Sequence, residues 1–231
     1  MSTEQMKSGG LYLVATPIGN LEDITLRAIR VLKQVNLIAA EDTRHAAILL
    51  RKYAIETPLV SYYEQNEERR SRELLERLIQ GEQIALISDA GTPLLSDPGY
   101  RLVQKALAND IQVVCIPGAS ALLAGLTASG LPVNRFVFEG FLPKKKGRQT
   151  LLKKLAEEER TVVIYESPFR LIATLKDLQV NLGNRQCVCA RELTKLHEEY
   201  VRGTIAEVLE HFSQHSPRGE FVIIVAGKEK A

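Results

Sequence analysis

The chain has 231 residues, 45% of them hydrophobic, and a formal net charge of +2. That length allows two modest domains with separate cores, and the composition excludes a disordered chain. Near-neutral bulk charge carries no nucleic-acid signal of its own, so an argument for such a partner has to rest on where the charges sit.

Short β-branched runs alternate with amphipathic stretches along the chain. Met1 to Gly10 is polar and lacks the apolar core of a signal peptide, which points to the cytoplasm. Leu11 to Ala15 reads as a strand, and Ile24 to Val35 as a helix capped by Asp23. Leu37 to Ala40 is a second strand, followed by a helix from about His45 to Tyr53. Leu59 to Ser61, a charged helix from Glu67 to Gln80, and the strand Ile84 to Ser88 continue the pattern. Asp97-Pro98 reads as a helix start, because Asp caps and proline at the first helical position loses no needed donor. Ile111 to Ile116 is the next strand. This alternation predicts an α/β fold with a mostly parallel sheet in the N-terminal half.

Ile116-Pro117-Gly118 breaks the pattern and places a boundary there, giving domains 1–117 and 118–231. A helix then runs to about Ala128, and strands are expected at Phe136 to Glu139, Thr161 to Tyr165, Cys187 to Ala190 and Phe221 to Val225. Ser167-Pro168 opens a helix, and Thr204 with Glu207 forms a capping-box pattern. The second half is therefore expected to be a mixed α+β sheet with an antiparallel component. No apolar run is long enough to span a bilayer. The three cysteines, Cys115, Cys187 and Cys189, have no disulfide-framework spacing, and Cys115 and Cys189 read as small buried hydrophobes.

Three strand-to-helix loops are dense in Gly, Pro and small polar residues. Thr16-Pro17-Ile18-Gly19-Asn20 follows the first strand, Ser88 to Gly99 the fourth, and Pro117-Gly118-Ala119-Ser120-Ala121 the fifth. In an open parallel sheet, ligands bind outside the carboxyl ends of the strands, and small residues there let a ligand reach backbone N–H and C=O groups. Neither G-x-G-x-x-G nor G-x-x-x-x-G-K-[ST] is present, which excludes the dinucleotide fingerprint and the P-loop. The residues alone describe an α/β enzyme with an unidentified small-molecule cleft.

Longer segments carry a resemblance. Ala15-Thr16-Pro17-Ile18-Gly19-Asn20-Leu21, Ala40-Glu41-Asp42-Thr43-Arg44 and Ser88-Asp89-Ala90-Gly91-Thr92-Pro93 resemble those of the tetrapyrrole methylase superfamily. They resemble most its RNA-acting branch, the ribosomal RNA small-subunit methyltransferase I family. So do Glu139-Gly140-Phe141-Leu142-Pro143, Tyr165-Glu166-Ser167, Ala190-Arg191-Glu192-Leu193-Thr194-Lys195 and Gly219-Glu220-Phe221. The resemblance implies a two-domain tetrapyrrole-methylase-like fold with S-adenosylmethionine (SAM) in a cleft between the halves, and a homodimer. It further implies methylation of the ribose 2′-oxygen of a decoding-region cytidine in 16S rRNA, within the small ribosomal subunit. Many members of that branch continue with a small helical C-terminal extension past the position of Glu229-Lys230-Ala231, where this sequence stops.

By the same resemblance, Pro17 shapes the cleft, Ser88, Asp89, Ala90 and Thr92 border the cofactor, and Ser120 and Ala121 meet it at a helix start whose free N–H groups suit a carboxylate. Glu166, Ala190 and Glu220 are the contacts implied from the second half. Methyl transfer from a sulfonium is an in-line displacement of an already activated group, so no metal is expected, and the protein's contribution is orientation. The proton acceptor is not fixed by the sequence. Glu166, Arg191, Glu192 and Lys195 are the catalytic candidates, with surface ion pairing of Arg191 and Lys195 to Glu192 or Glu198 as the plain alternative.

Lys144-Lys145-Lys146-Gly147-Arg148 directly follows a cleft motif, and no acid occurs from Leu142 to Ala156. These four cations are expected to track an RNA backbone. His211 and His215 are four apart but lack a third ligand, and Ser120 lacks a nucleophile elbow's second glycine, so neither a metal site nor a hydrolase serine is expected. Two other functions compete: a methylase of a tetrapyrrole or other small molecule, and a non-catalytic RNA-binding ribosome-assembly module. The basic loop points away from the first, and the small-residue loops are left unexplained by the second.

Overall fold

The computed structural model describes residues 9–229. The polar N-terminal segment before Gly9, read above as lacking a signal core, lies outside the described residues, as do Lys230 and Ala231. The chain divides into two compact units, the first ending at Ser120 and the second beginning at Ala121.

In the first unit, five parallel strands, β1 (Gly10–Val14), β2 (Leu37–Ala40), β3 (Leu59–Ser61), β4 (Gln83–Ile87) and β5 (Gln112–Ile116), lie in the order β3-β2-β4-β1-β5. Helices α1 (Leu26–Gln34) and α2 (Thr43–Lys52) pack on one face, where Val31, Leu32, Leu49 and Leu50 meet Tyr12, Val14 and Ala85. Helices α3 (Glu67–Ile79) and α4 (Tyr100–Leu107) pack on the other, where Leu74, Leu78 and Leu102 meet Leu11, Ile84 and Leu86. β2 and β4 are buried at every position, as continuous apolar runs in a two-faced parallel sheet should be. Cys115 is a correction: β5 pairs only with β1, and at that edge the thiol is exposed.

Three helix starts also differ from expectation, one being the helix expected to open at Ser167-Pro168, which begins only at Leu171 after a turn at 168–170. Thr25, not Asp23, caps α1, its hydroxyl accepting from the Ala28 N–H at 3.0 Å, while Asp23 ends a separate 3₁₀ turn. α4 begins at Tyr100 rather than at Pro98. Gly99 holds φ +137, a Cβ there would come 2.8 Å from Leu86, and its N–H donates to Glu67 Oε1 at 3.0 Å.

The second unit opens with α5 (Ala121–Thr127) and forms a mixed sheet in the order β6-β7-β10-β8-β9. β6 (Phe136–Phe141) and β7 (Thr161–Glu166) are parallel; β10 (Phe221–Val225) runs antiparallel to β7 and to β8 (Gln186–Arg191); β9 (Glu199–Thr204) is antiparallel to β8. This is the mixed sheet expected. α6 (Arg148–Ala156), α7 (Leu171–Leu182) and α8 (Ile205–Gln214) cover one face through Leu152, Leu175, Leu178, Val208 and Phe212. The Thr204–Glu207 capping box is present, and Cys187 and Cys189 are in this core. Gly125 of α5 seats against Val222, where a Cβ would come within 3.1 Å. Among the described residues no helix is long and apolar enough to cross a membrane.

Candidate functional site

The connections of the first, all-parallel sheet switch direction between β4 and β1. The chain leaves β1 through α1 on one face and leaves β4 through α4 on the other, so the loops after these neighbouring strands bound the crevice where such sheets hold ligands. The two loops are stitched together there. Thr16 and Gly91 exchange backbone hydrogen bonds, Thr16 N–H to Gly91 O at 2.9 Å and Gly91 N–H to Thr16 O at 3.1 Å. The Thr16 hydroxyl donates to Ser88 O at 3.1 Å, and the Thr92 hydroxyl donates to Ala119 O at 3.2 Å, which ties in the loop after β5. Gly91 holds φ +81 with room for no more than a tight Cβ against Ile18. Leu94 and Ser96 also sit at positive φ, a concentration of backbone strain in one loop. Of the candidate residues here, Pro17, Ser88 and Ser120 are buried, Asp89 and Thr92 half-buried, and Ala90 exposed. At the start of α5 the Leu122 N–H is taken by the Tyr165 hydroxyl at 2.9 Å.

Three carboxylates gather at this edge. Glu41 directly follows β2, Asp89 follows β4 and accepts from the Asp42 N–H at 2.9 Å, and Asp97 turns back toward Ser88. Burial, then the charge of Asp89, raises Glu41 from its ordinary value. Burial, then the charge of Glu41, pushes Asp97 up to about 6. Asp97 had the look of a helix cap in the sequence, and only the fold brings it to the other two. Its ordinary value is 3.8. Between that value and 6 the folded protein keeps a proton that the unfolded chain has lost, so stability falls as pH rises through this window. Asp97→Asn is therefore expected to raise Tm at pH above 7 and to leave it unchanged near pH 3.5. Thermal melts at both pH values check this, and an equal effect at both would remove the like-charge cluster as its cause.

In the second unit the candidates separate into two groups. Glu166 has a fully buried side chain. Its carboxylate accepts from the Ser167 N–H at 2.9 Å and the Thr174 hydroxyl at 2.6 Å, and pairs with Arg170 at 3.4 Å. That engagement anchors the β7–α7 turn. Ala190 is buried in mid-sheet between Val222 and Tyr200. Arg191 forms an ion pair at 2.6 Å with its cross-strand partner Glu199, rather than with Glu192 or Glu198.

Glu192, Lys195 and Glu220 form a knot at the end of β8. Lys195 Nζ donates to Glu192 Oε1 at 2.9 Å and Glu220 Oε2 at 3.0 Å, and the Glu220 N–H donates to Glu192 Oε1 at 3.2 Å. Glu192 and Thr194 hold positive φ, and Gly219 has no Cβ because one would collide with the Glu192 carboxylate. Burial pushes Glu192 up, but the bonds from Lys195 and the Glu220 backbone outweigh it and hold the carboxyl low. Burial pulls Lys195 down, but the two glutamates outweigh it and hold the amine high. Lys195 is thereby held protonated and has no lone pair to accept a proton, while Glu192 is held as a carboxylate of lowered basicity.

The basic loop also divides. Lys144, Lys145 and Lys146 are exposed and have no carboxylate partner among the described residues. Arg148 is a correction: its side chain is only 11% exposed. It bonds Asp177 at 2.7 Å, Thr174 at 2.9 Å and Pro143 O at 3.2 Å. Its acid comes from α7, out of reach of a local reading. Among the described residues no group of His, Cys, Asp and Glu could hold a metal ion; His211 stacks on His215.

The family model for Tetrapyrrole (Corrin/Porphyrin) Methylases matches residues 10–209. A Thermotoga maritima protein named ribosomal RNA small subunit methyltransferase I is 48% identical over 96% of this chain and 100% of its own length. A Synechocystis protein of the same name is 54% identical over 95% of this chain and 79% of its own length. Among solved structures, uroporphyrin III C-methyl transferase from Thermus thermophilus superposes with a TM-score of 0.67 at 23% identity, covering 94% of this chain and 97% of that one. A diphthine synthase superposes with a TM-score of 0.75 at 14% identity, covering 96% of this chain and 91% of that one. At these low identities the structural likeness speaks for the fold.

Proposed function

The chain belongs to the tetrapyrrole methylase family, in its ribosomal RNA small subunit methyltransferase I branch, and from that membership we propose that it methylates small-subunit rRNA with SAM as donor. We place the acceptor at the ribose 2′-oxygen of a decoding-region cytidine in 16S rRNA, and propose that the enzyme acts as a cytoplasmic homodimer on the small ribosomal subunit. The observation that carries the reading is near-50% identity along the whole of a relative bearing that name.

The first unit's loops suit the donor. The charge of Asp89 raises Glu41, and the charges of Glu41 and Asp89 raise Asp97; a bound cation relieves such a field, and the sulfonium and ammonium groups of SAM are such cations. When bound, SAM supplies an activated methyl group. Asp89, fixed by the Asp42 N–H, orients the cationic end; Thr16, Ser88, Gly91 and Thr92 hold the loops closed on each other. Lys144, Lys145 and Lys146 engage phosphates of the acceptor.

Stoichiometric SAM binding is expected in calorimetry with a chelator present. At a ligand concentration about 100 times Kd, it should stabilise the fold by roughly 2.7 kcal/mol. Asp89→Ala should weaken that binding at least tenfold. Absence of both heat and thermal stabilisation would remove the donor assignment. Transfer of label from SAM to unmodified small subunits, with the label mapped by nuclease digestion, tests the acceptor.

A further inference from the structure

The second unit carries an arrangement that its sheet topology creates. β6, β7 and β8 all point the same way, so the segments that follow them emerge at one edge of the sheet. Neighbouring strands are about 4.8 Å apart, which sets the β6 and β7 exits side by side. The β6 exit bears Lys144, Lys145 and Lys146. The β7 exit bears Phe169, which is 97% exposed, and Phe141 closes β6 with 53% exposure.

A single exposed aromatic is unremarkable on a protein surface. This one stands on a pinned turn. Arg170 N–H and Leu171 N–H both donate to Ser167 O at 3.1 Å, Glu166 holds the Ser167 N–H, and the Arg170 guanidinium reaches Leu142 O at 2.6 Å. That last bond ties the turn to the base of the lysine loop. The network orders the backbone beneath Phe169 while its ring makes no aromatic contact among the described residues. Phe141 is edge-on to Tyr165 at 5.8 Å and is held at the same edge.

We propose that Phe169 is a base-stacking residue for a single-stranded RNA acceptor, with Lys144, Lys145 and Lys146 carrying the adjoining phosphates. An aromatic face beside unpaired cations is the pairing that single-stranded nucleic acid requires, because every base has a π-face and every linkage a negative charge. A protein partner would bury the ring but has no call for three neighbouring ammonium groups. The preordered turn lowers the entropy lost on binding. The inference rests on the RNA-acting reading above and assigns to it a contact outside the donor loops.

The test uses the full-length protein, a fluorescein-labelled single-stranded RNA of decoding-region sequence, and four variants. Phe169→Ala is expected to weaken RNA binding roughly tenfold, within the range of one base–aromatic stack. Phe169→Trp should restore it, and Phe169→Leu should not. Val180→Ala removes another strongly exposed apolar side chain, near the far end of α7, and should change nothing. SAM affinity should be unaltered in all four, and the salt dependence of RNA binding should be unaltered by Phe169→Ala, since no charge is removed. Wild-type affinity in Phe169→Ala, or full rescue by leucine, would overturn the proposal. So would loss of self-association in Phe169→Ala with RNA binding intact, which would place the ring between two copies of the chain. A wild-type protein that binds RNA through Phe169 yet transfers no methyl group would instead sink the methyltransferase reading and leave this one standing.

Discussion

Glu166→Ala is expected to cost about 3–5 kcal/mol of stability, the range for removing one partner of a buried ion pair and leaving the other uncompensated. Three groups depend on this carboxylate: Arg170, the Thr174 hydroxyl and the Ser167 N–H. Thr174 in turn accepts from Arg148, and Arg148 from α6 is paired to Asp177 on α7, so the loss propagates to the packing of these two helices. Glu166→Gln keeps the shape and one acceptor and should cost less. Urea denaturation of the full chain, with hydrogen exchange at 171–182, measures both. The two readings of Glu166 separate cleanly. If it were a cofactor contact, alanine would lower SAM affinity and spare stability, and a loss under about 1 kcal/mol would return it to that role.

What the sequence revealed of the fold follows from which forces act locally. In the first unit the central strands β2 and β4 are continuous buried apolar runs, and each helix covers the sheet through an apolar stripe, so period and turn chemistry were enough to find every strand. β9 escaped notice because Glu-Tyr-Val-Arg-Gly-Thr has no apolar run; it is a strand through its six-residue pairing with β8. α6 escaped because its leading cations read as a charged loop, while Leu152 and Leu155 are what hold it to the core.

The candidate site divides along the same line. Small-residue loops at the β1, β4 and β5 ends were visible because glycine and proline are local statements about backbone. The meeting of Glu41, Asp89 and Asp97 was not, since Asp97 next to proline satisfies a capping rule that the fold does not use. Arg148 shows the reverse error. A stretch free of nearby acid looked like an open cation, yet its partner lies 29 positions away. Charge-run arguments hold only for side chains that no distant element can reach, and here those are Lys144, Lys145 and Lys146.

Replacing those three lysines with glutamine should make RNA binding less salt-dependent and much weaker. Each phosphate contact on a single strand contributes about 0.7 to the slope of log affinity against log salt, so losing three should flatten it by about 2. At moderate ionic strength the same counterion term corresponds to an affinity loss on the order of a hundredfold. The loss should be spread over all sequences tested, because phosphates position the strand without reading it. Calorimetric SAM affinity should stay at the wild-type value. Arg148→Gln is the informative contrast. It should leave the salt slope where it was and lower Tm instead, because it breaks the bonds to Asp177, Thr174 and Pro143. Titrations of labelled decoding-region RNA at several salt concentrations, run for wild type, the triple variant and Arg148→Gln, give all three slopes. A triple variant as steep as wild type would make the lysines a solvated face, and a flattened slope in Arg148→Gln would mean that the guanidinium leaves its internal partners to meet RNA.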